Sequence, residues 1–173
     1  FHSHETAGRE ASICCRLIRQ DGTTVFSHTE SCSVAEGESS FQMSPVSAGM
    51  VDLWDIDAPV LYTVETELLI DGHIVDSHST KTGFRKTECP SHGFYLNGQK
   101  IKLRGVNRHQ CYPYVGYAMG RGVQRKDAEL IRYDMACNTV RTSHYMQSQY
   151  FLERCDEIGL LVFEEIPGWH YIG

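Results

Sequence analysis

The sequence has no apolar run approaching the roughly 20 residues that a membrane-spanning helix requires, and it has no excess of basic residues. Its 173 residues include 16 Lys and Arg against 22 Asp and Glu, a formal net charge of −6. Nucleic acid and anionic membranes both attract basic surfaces. The composition therefore predicts neither of them as a partner.

The chain also lacks an initiator methionine and a recognisable targeting segment, since it opens with FHSHETAGRE. We expect it to begin inside a longer protein, which leaves open whether a signal peptide has been removed.

The seven cysteines include no CxxC pair, which disfavours a zinc knuckle or a thioredoxin-like redox site. We expect most of them to be buried, reduced thiols. Such thiols, and their odd number, favour a reducing compartment such as the cytoplasm.

The first half of the chain contains short extended runs separated by turn signals. Asp21-Gly22 and Asp71-Gly72 each separate two such runs, and an Asp-Gly pair in this position predicts a hairpin. Trp54 is expected in a core. This pattern predicts an antiparallel, immunoglobulin-like β-sandwich over residues 1–88.

The second half, residues 89–173, alternates strand and helix patterns. A small hairpin is expected at Asn97-Gly98. Ala128, Ile131 and Met135 recur at helical spacing, as do Phe151, Cys155 and Ile158, with Gly159 placed as a helix C-cap. The order strand, helix, strand, helix, strand is typical of a parallel α/β fold.

Polar clusters follow all three predicted parallel strands: NRHQ, RTSHY and EE. The carboxyl ends of parallel strands lie on one side of the sheet, where barrel enzymes build their sites. We therefore predict a ligand site formed by Asn107, Arg108, His109, Arg141, His144, Tyr145 and Glu164 or Glu165.

This set of residues leaves three chemistries open. Ser143 beside His144 suggests a catalytic triad, although no nucleophile-elbow glycines flank it. His109, His144 and Glu165 could form a two-histidine, one-carboxylate metal site. The many donors and acceptors suit a polyhydroxylated ligand best, with Trp169 or Tyr171 stacking on a sugar ring.

Glycoside hydrolysis requires two carboxyl groups flanking the scissile bond. Glu164 and Glu165 are adjacent on an extended segment, so their side chains point apart. Asp156 and Glu157 lie at the end of a predicted helix, away from the strand ends. The sequence thus contains no usable catalytic pair.

Several stretches resemble glycoside hydrolase family 2, the β-galactosidase and β-glucuronidase family. GVNRH, NTVRTSHY and CDEIGLLVFEEIP resemble the start of its catalytic barrel. LWDIDAPVLYTVET and TGFRK resemble the end of the immunoglobulin-like sandwich that precedes the barrel. The resemblance implies a multidomain β plus α/β fold, with a sandwich followed by the first βαβαβ portion of a TIM (β/α)8 barrel.

The resemblance further implies part of a retaining exo-β-glycosidase, with a β-galactosidase favoured and a β-linked oligosaccharide or glycoside as partner. His109 and His144 would contact the sugar or stabilise the transition state, and Arg141 would orient the nucleophilic carboxylate. Asn107, Tyr145 and Glu165 complete the expected substrate contacts. Both catalytic Glu residues would lie on later barrel strands.

The sequence departs from the family at two positions. Met146 stands where the family usually has Pro, and Gln110 stands where galactosidase-like members often carry Glu. The final stretch, IPGWHYIG, does not reproduce the magnesium-binding acidic segment of the best-known β-galactosidases. We therefore expect no metal and no cofactor here. Galactose, glucuronic acid and mannose remain open as the sugar, and so does homo-oligomerisation of the full-length protein.

Two other functions remain open: a metal-dependent barrel hydrolase and a non-catalytic sandwich module for carbohydrate or protein contact. We also expect three barrel strands to leave an open edge and an uncovered apolar face. The sequence accordingly predicts that the barrel portion, over 94–165, is less stable than the sandwich.

Overall fold

A computed structural model of the chain describes residues 2–3, 10–34, 36–38 and 40–168. The chain divides into two compact units. One consists of 1–51 and 61–82, and the other of 52–60 and 83–173, as far as these ranges are described. The predicted boundary between residues 88 and 89 stays a prediction.

The described residues form twelve strands and two α-helices, the first of which continues into a π-helical turn. The strands are β1 (His2–Ser3), β2 (Glu10–Arg19), β3 (Thr24–Ser33), β4 (Gly37–Glu38), β5 (Tyr62–Ile70), β6 (His73–Thr82), β7 (Thr87–Glu88), β8 (Phe94–Leu96), β9 (Gln99–Ile101), β10 (Gly105–Arg108), β11 (Thr139–Thr142) and β12 (Leu161–Glu164). The helices are α1 (Arg121–Glu129), its π-helical continuation Leu130–Asp134, and α2 (Gln149–Ile158). No helix among these described elements is long and apolar enough to cross a membrane.

The first unit is built on a four-stranded antiparallel sheet in the order β3-β2-β5-β6, and it also contains a small β1-β4 pair. The predicted turns lie where the sheet reverses. Gly22 has φ 86°, and Asp71 and Gly72 have φ 51° and 78°. Two successive positive φ values are those of a type I′ turn, which suits the twist of a tight hairpin. The hairpin prediction is confirmed.

Alternation along the strands divides this sheet into an apolar and a polar face. Ile13 pairs with Leu68 and Leu17 pairs with Val64 on one face. On the other face the Arg16 guanidinium donates to Glu67, at 2.9 and 2.5 Å, and to Glu65 at 3.2 Å. Most side chains of β2 and β5 are only half-buried.

The second unit contains the predicted parallel sheet, in the order β10-β11-β12. Helices α1 and α2 connect successive strands and pack with the sheet around a core that includes Ala128, Val140, Phe151 and Cys155, all at 0% exposure. Burial holds the pKa of the Cys155 thiol well above its usual range. The predicted βαβαβ order is confirmed.

Gly159 ends α2 in the left-handed conformation, with φ 73°. A Cβ atom at this position would lie 1.9 Å from the Ile56 carbonyl oxygen. Both the backbone conformation and the close approach of another backbone segment therefore require glycine. The predicted C-cap is confirmed.

Trp54 is buried, as expected, but it belongs to the second unit rather than to the sheet unit. Its indole Nε1 donates to the Asp156 carbonyl oxygen of α2 at 2.7 Å. An isolated bridge also joins Leu53 to Phe84. Residues 52–60 thus pack with the parallel sheet and its helices.

Two sequence expectations are wrong. Met135 is 54% exposed, because the π-helical turn, closed by the Met135 N to Leu130 O bond at 3.0 Å, shifts the helical register. Of the seven thiols, all free, only Cys137 and Cys155 are buried. Cys89 and Cys111 are exposed because they lie in connecting segments, where an apolar side chain is not packed into a core.

Candidate functional site

The three parallel strands end in register, which aligns the residues that follow them. The last residues, paired across the sheet, are Arg108, Thr142 and Glu164. His109, Ser143 and Glu165 come next along the chain, at the carboxyl edge. The three polar clusters of the sequence therefore meet at one edge, as the parallel arrangement predicts.

The Glu165 carboxylate is the centre of this cluster. Its Oε2 accepts from the Arg141 guanidinium at 2.7 Å, and its Oε1 lies 3.1 Å from His144 Nδ1. The Glu165 backbone N–H donates to the Thr142 hydroxyl at 2.8 Å. Glu165 is thus held through both its backbone and its side chain.

Two groups contact Nδ1 of His144. The Arg141 guanidinium, which can only donate, lies at 3.4 Å, and the Glu165 carboxylate, which can only accept, lies closer, at 3.1 Å. With the shorter contact as the hydrogen bond, the proton of a neutral imidazole lies on Nδ1 and the lone pair on Nε2. The His144 side chain is 26% exposed and that of Glu165 22%. At this partial exposure the contact contributes little to stability, and its main effect is to orient the ring.

His109, Tyr145 and Asn107 lie around this centre. The His109 ring centroid is 5.6 Å from that of His144, edge to face at 75°, and 6.3 Å from that of Tyr145. The Arg141 guanidinium donates to Asn107 Oδ1 at 3.4 Å. The six predicted substrate-binding residues therefore form one connected group, in which each residue contacts the next: Asn107, Arg141, Glu165, His144, His109 and Tyr145.

Arg108 was also expected on this face, and that expectation is wrong. Strand residues alternate between faces, so Arg108 points away from the side shared by Asn107 and His109. Its side chain is 3% exposed and forms an ion pair with Asp127 at 2.5 Å. The guanidinium also stacks 3.8 Å from the centre of the Phe151 ring.

The carboxylates considered as a catalytic pair do not face one another. Glu164 accepts from the Gln147 backbone N–H at 3.1 Å, whereas Glu165 faces Arg141 and His144. Asp156 lies in α2, where burial raises the pKa of its carboxyl. Trp169 and Tyr171, the expected stacking aromatics, lie outside the described residues.

The triad and metal alternatives receive no support from the geometry. Ser143 is 1% exposed and its Oγ accepts from Arg141 at 3.5 Å, so the hydroxyl is not presented to a substrate. Within residues 10–34, 36–38 and 40–168, no group of three His, Cys, Asp or Glu side chains could hold a metal ion.

Sequence reasoning missed three residues that hold the site together. Thr142 bonds the Glu165 backbone, Gln110 Oε1 accepts from the Ser148 backbone N–H at 2.9 Å, and Gln147 bridges several groups. Because side chains alternate along a strand, the sequence of β11 could have indicated that Thr142 points to the face opposite Arg141. The partners of the two glutamines depend on the path of the loop, and no local sequence signal gives that path.

A cavity of about 330 Å³ lies elsewhere in the same unit. Its lining includes Trp54, Phe94, Leu103 and Phe163, and it contains none of the six predicted site residues. We therefore place the candidate site by its convergent polar groups rather than by cavity size.

Comparison with known proteins gives consistent matches over both halves. A family model described as glycosyl hydrolases family 2, TIM barrel domain, matches residues 88–171, and one described as glycosyl hydrolases family 2 matches residues 1–85. A β-galactosidase of Thermoanaerobacterium thermosulfurigenes is 58% identical over 123 residues, which are 71% of this chain and 17% of that protein.

A β-galactosidase of Thermoanaerobacter pseudethanolicus is 56% identical over 121 residues, 69% of this chain and 16% of that protein. Among solved structures, the crystal structure of Bacteroides uniformis β-glucuronidase matches with a TM-score of 0.84 at 34% identity. It covers 95% of this chain and 20% of that one. The chain thus spans a fifth or less of the length of these relatives.

Proposed function

This chain belongs to glycosyl hydrolase family 2, and we propose that it contributes the sugar-orienting part of a retaining exo-β-glycosidase. Its first half is the family's sandwich domain and its second half is the start of the TIM barrel domain. The observation that carries the proposal is the cluster of His109, Arg141, His144 and Glu165 at the carboxyl edge of the parallel sheet.

The chemistry of this cluster suits a sugar. Sugar hydroxyl groups both donate and accept hydrogen bonds, and the cluster contains planar groups that donate and planar groups that accept. With the hydrogen bond to Glu165 on Nδ1, the acceptor of a neutral His144 ring is Nε2. The exposed His109 ring, set edge to face against His144, adds a second imidazole next to it. Two imidazoles side by side can bond vicinal hydroxyls of one ring.

Arg141 has a different role in this proposal. Its guanidinium already pairs with Glu165, and 40% of its side chain is exposed. Such a cation orients a further carboxylate and keeps that carboxylate ionised. A retaining glycosidase needs an ionised nucleophile next to the sugar, so Arg141 would position that group.

The two catalytic carboxylates are not among the residues of this chain on our account. Retention needs two carboxyl groups about 5–5.5 Å apart, one as nucleophile and the other as acid and then base. Glu165 is bonded to Arg141 and His144, and Glu164 is turned to a backbone amide. We propose that later barrel strands supply both groups.

β-Galactosidase activity is our first candidate and β-glucuronidase activity the second. The two bacterial β-galactosidases share more than half of their aligned residues with this chain. A β-glucuronidase, in contrast, matches its fold over 95% of the chain. A glucuronidase must also bind a carboxylate on the sugar, and among the six clustered residues Arg141, already paired, is the only one with a permanent positive charge.

The test is to assay the full-length protein on 4-nitrophenyl β-galactoside and β-glucuronide and to follow the product anomer by proton NMR. We expect turnover of the galactoside with retention of configuration. The 173-residue chain alone should hydrolyse neither substrate, since general acid–base assistance alone is worth roughly 10²–10⁴ in rate.

Inversion would contradict the mechanism, and turnover by the 173-residue chain would mean that Glu164 or Glu165 is catalytic. If the full-length protein turned over neither substrate yet bound β-galactosides, the non-catalytic binding module would replace our proposal.

A further inference from the structure

The loop from Ser143 to Ser148 carries two of the candidate sugar contacts, His144 and Tyr145, and it has no regular secondary structure. No ladder of backbone hydrogen bonds can therefore fix its path. Its shape depends on side-chain bonds to the loop backbone, and Gln147, Glu164 and Gln110 each make one of them.

Gln147 is 8% exposed and uses both ends of its amide. Its Oε1 accepts from the Arg108 guanidinium, and its Nε2 donates to the Tyr145 carbonyl oxygen at 3.1 Å. Its backbone N–H donates to Glu164 at 3.1 Å. This amide therefore links the buried side of the sheet to the backbone that carries His144 and Tyr145.

Arg108 provides the rigid end of this link. Its guanidinium is bonded to Asp127 and Gln124, at 2.5 and 2.9 Å, and rests on the Phe151 ring. A buried cation bonded on every side cannot move without losing several charge-assisted hydrogen bonds. Its position fixes Gln147, which in turn fixes the Tyr145 carbonyl.

Two further bonds, both made by Gln110, hold the same loop. The Gln110 backbone N–H donates to the Tyr145 hydroxyl at 2.9 Å, and Gln110 Oε1 accepts from the Ser148 N–H at 2.9 Å. Both bonds attach the loop to the segment that carries His109. The relative position of the two histidine rings thus depends on the loop being held at Tyr145.

We propose that Arg108 and Gln147 are positioning residues, which set the geometry of His144 and Tyr145 for sugar binding without touching the sugar themselves. The inference rests on the proposed function only for its activity readout. It assigns a role in the reaction to two buried residues, Arg108 on the far side of the sheet from the site and Gln147 in the loop.

The test compares two isosteric changes in the full-length protein, Gln147→Glu and Gln124→Glu. Each places a carboxylate next to the Arg108 guanidinium, so both variants add one negative charge beside the same buried cation. Only Gln147→Glu replaces the N–H that bonds the Tyr145 carbonyl with a second acceptor, which repels it. We expect Gln147→Glu to lower kcat/KM on the aryl glycoside about tenfold or more relative to Gln124→Glu.

The decrease should lie mainly in kcat, because a displaced sugar-orienting group loses transition-state contacts. The two variants should have similar thermal midpoints. Equal kcat/KM values for them would overturn the proposal. If Gln147→Glu did not fold, the uncharged Gln147→Asn, too short to span both partners, should show the same loss in kcat, and unchanged activity there would equally overturn it.

Crystal structures of the two variants give a readout that does not depend on activity. We expect the Tyr145 carbonyl and the His144 ring to move by more than about 0.5 Å in Gln147→Glu, a displacement that matters for a preorganised site. Gln124→Glu should leave them in place. A full-length protein inactive on all glycosides would refute the proposed function, whereas unmoved His144 and Tyr145 would refute the positioning role.

Discussion

At the scale of single residues, one carboxylate organises the candidate site. Glu165 accepts from Arg141 and from His144, and it is itself held by the Thr142 hydroxyl through its backbone. The charge on this carboxylate therefore determines both where the guanidinium lies and which nitrogen of the imidazole carries the proton.

We expect Glu165→Gln to lower kcat/KM of the full-length enzyme about tenfold or more. The amide keeps the shape but loses the negative charge, and hydrogen bonds to charged groups are worth roughly 1.5–3 kcal/mol. Steady-state kinetics on the aryl galactoside measure the effect. The matched control is Glu157→Gln, which removes an ion pair to Arg125 of α1 and one to Arg154 within α2. Equal activity of the two variants would show that Glu165 has no role in orienting the site.

The sequence predicted the residues at the strand ends, but not those whose contacts depend on the path of a loop. The register of three parallel strands is enough to bring His109, Arg141 and Glu165 to one edge, and this part of the site was predicted. Arg108 was misplaced because a polar run at a strand end looks continuous in sequence, whereas its side chains alternate in space. The role of Gln147 was missed because its partners are distant in sequence.

At the scale of elements, close approaches between backbones determine where glycine is required. Gly105 in β10 has no side chain to clash with the Thr139 carbonyl oxygen, which lies 2.2 Å from an ideal Cβ position. Gly159 combines such an approach with a left-handed backbone. These positions allow the parallel sheet and α2 to pack closely.

We expect Gly159→Ala to destabilise the chain more than Gly98→Ala. Both have positive φ, 73° and 82°, so each alanine costs about 1–2 kcal/mol of backbone strain. At Gly98 the Cβ would enter open space, but at Gly159 it would overlap the Ile56 carbonyl. Overpacking adds about 1–3 kcal/mol.

Urea unfolding of the 173-residue chain, followed by tryptophan fluorescence, gives both free energies of unfolding. Trp54 is a suitable probe because it packs against α2. Equal losses for the two variants would mean that the Ile56 segment moves aside without cost.

At the scale of the whole molecule, the two units differ in how many apolar side chains they bury. The first unit has few fully buried apolar side chains among the described residues: Ala11, Leu17, Leu61 and Tyr62. Strand β6 is exposed along almost its entire length. The second unit, in contrast, encloses a continuous core between its sheet and two helices. The open edge of the three strands is visible in the sequence, whereas the burial of one sheet face under α1 and α2 depends on packing that the sequence does not show.

We therefore expect native-state hydrogen exchange of the 173-residue chain to show its strongest protection in β10–β12 and α2. Protection follows the number of buried contacts that must break for an amide to open. Strand β6 should exchange fastest among the long strands. Stronger protection in β2 and β5 than in the parallel sheet would restore the original expectation.

The fold at this scale could be predicted to a large extent. Turn pairs located the hairpins, and the change from period two to helical spacing located the βαβαβ portion. The assignment of residues 52–60 could not be predicted, because the contacts of Trp54 with Asp156 and of Ile56 with Arg132 link segments that are distant in sequence.

The most direct measurement of the central claim, that the strand-end cluster orients the sugar, is kcat/KM of the full-length His144→Ala variant on 4-nitrophenyl β-galactoside. We predict a loss of about 1–3 kcal/mol in transition-state binding, roughly 5- to 150-fold, as expected for removing a partly buried polar contact. The control is His78→Ala, on the exposed strand β6, which should retain wild-type activity. Wild-type activity in His144→Ala would contradict the account and would leave the cluster as an ordinary polar loop.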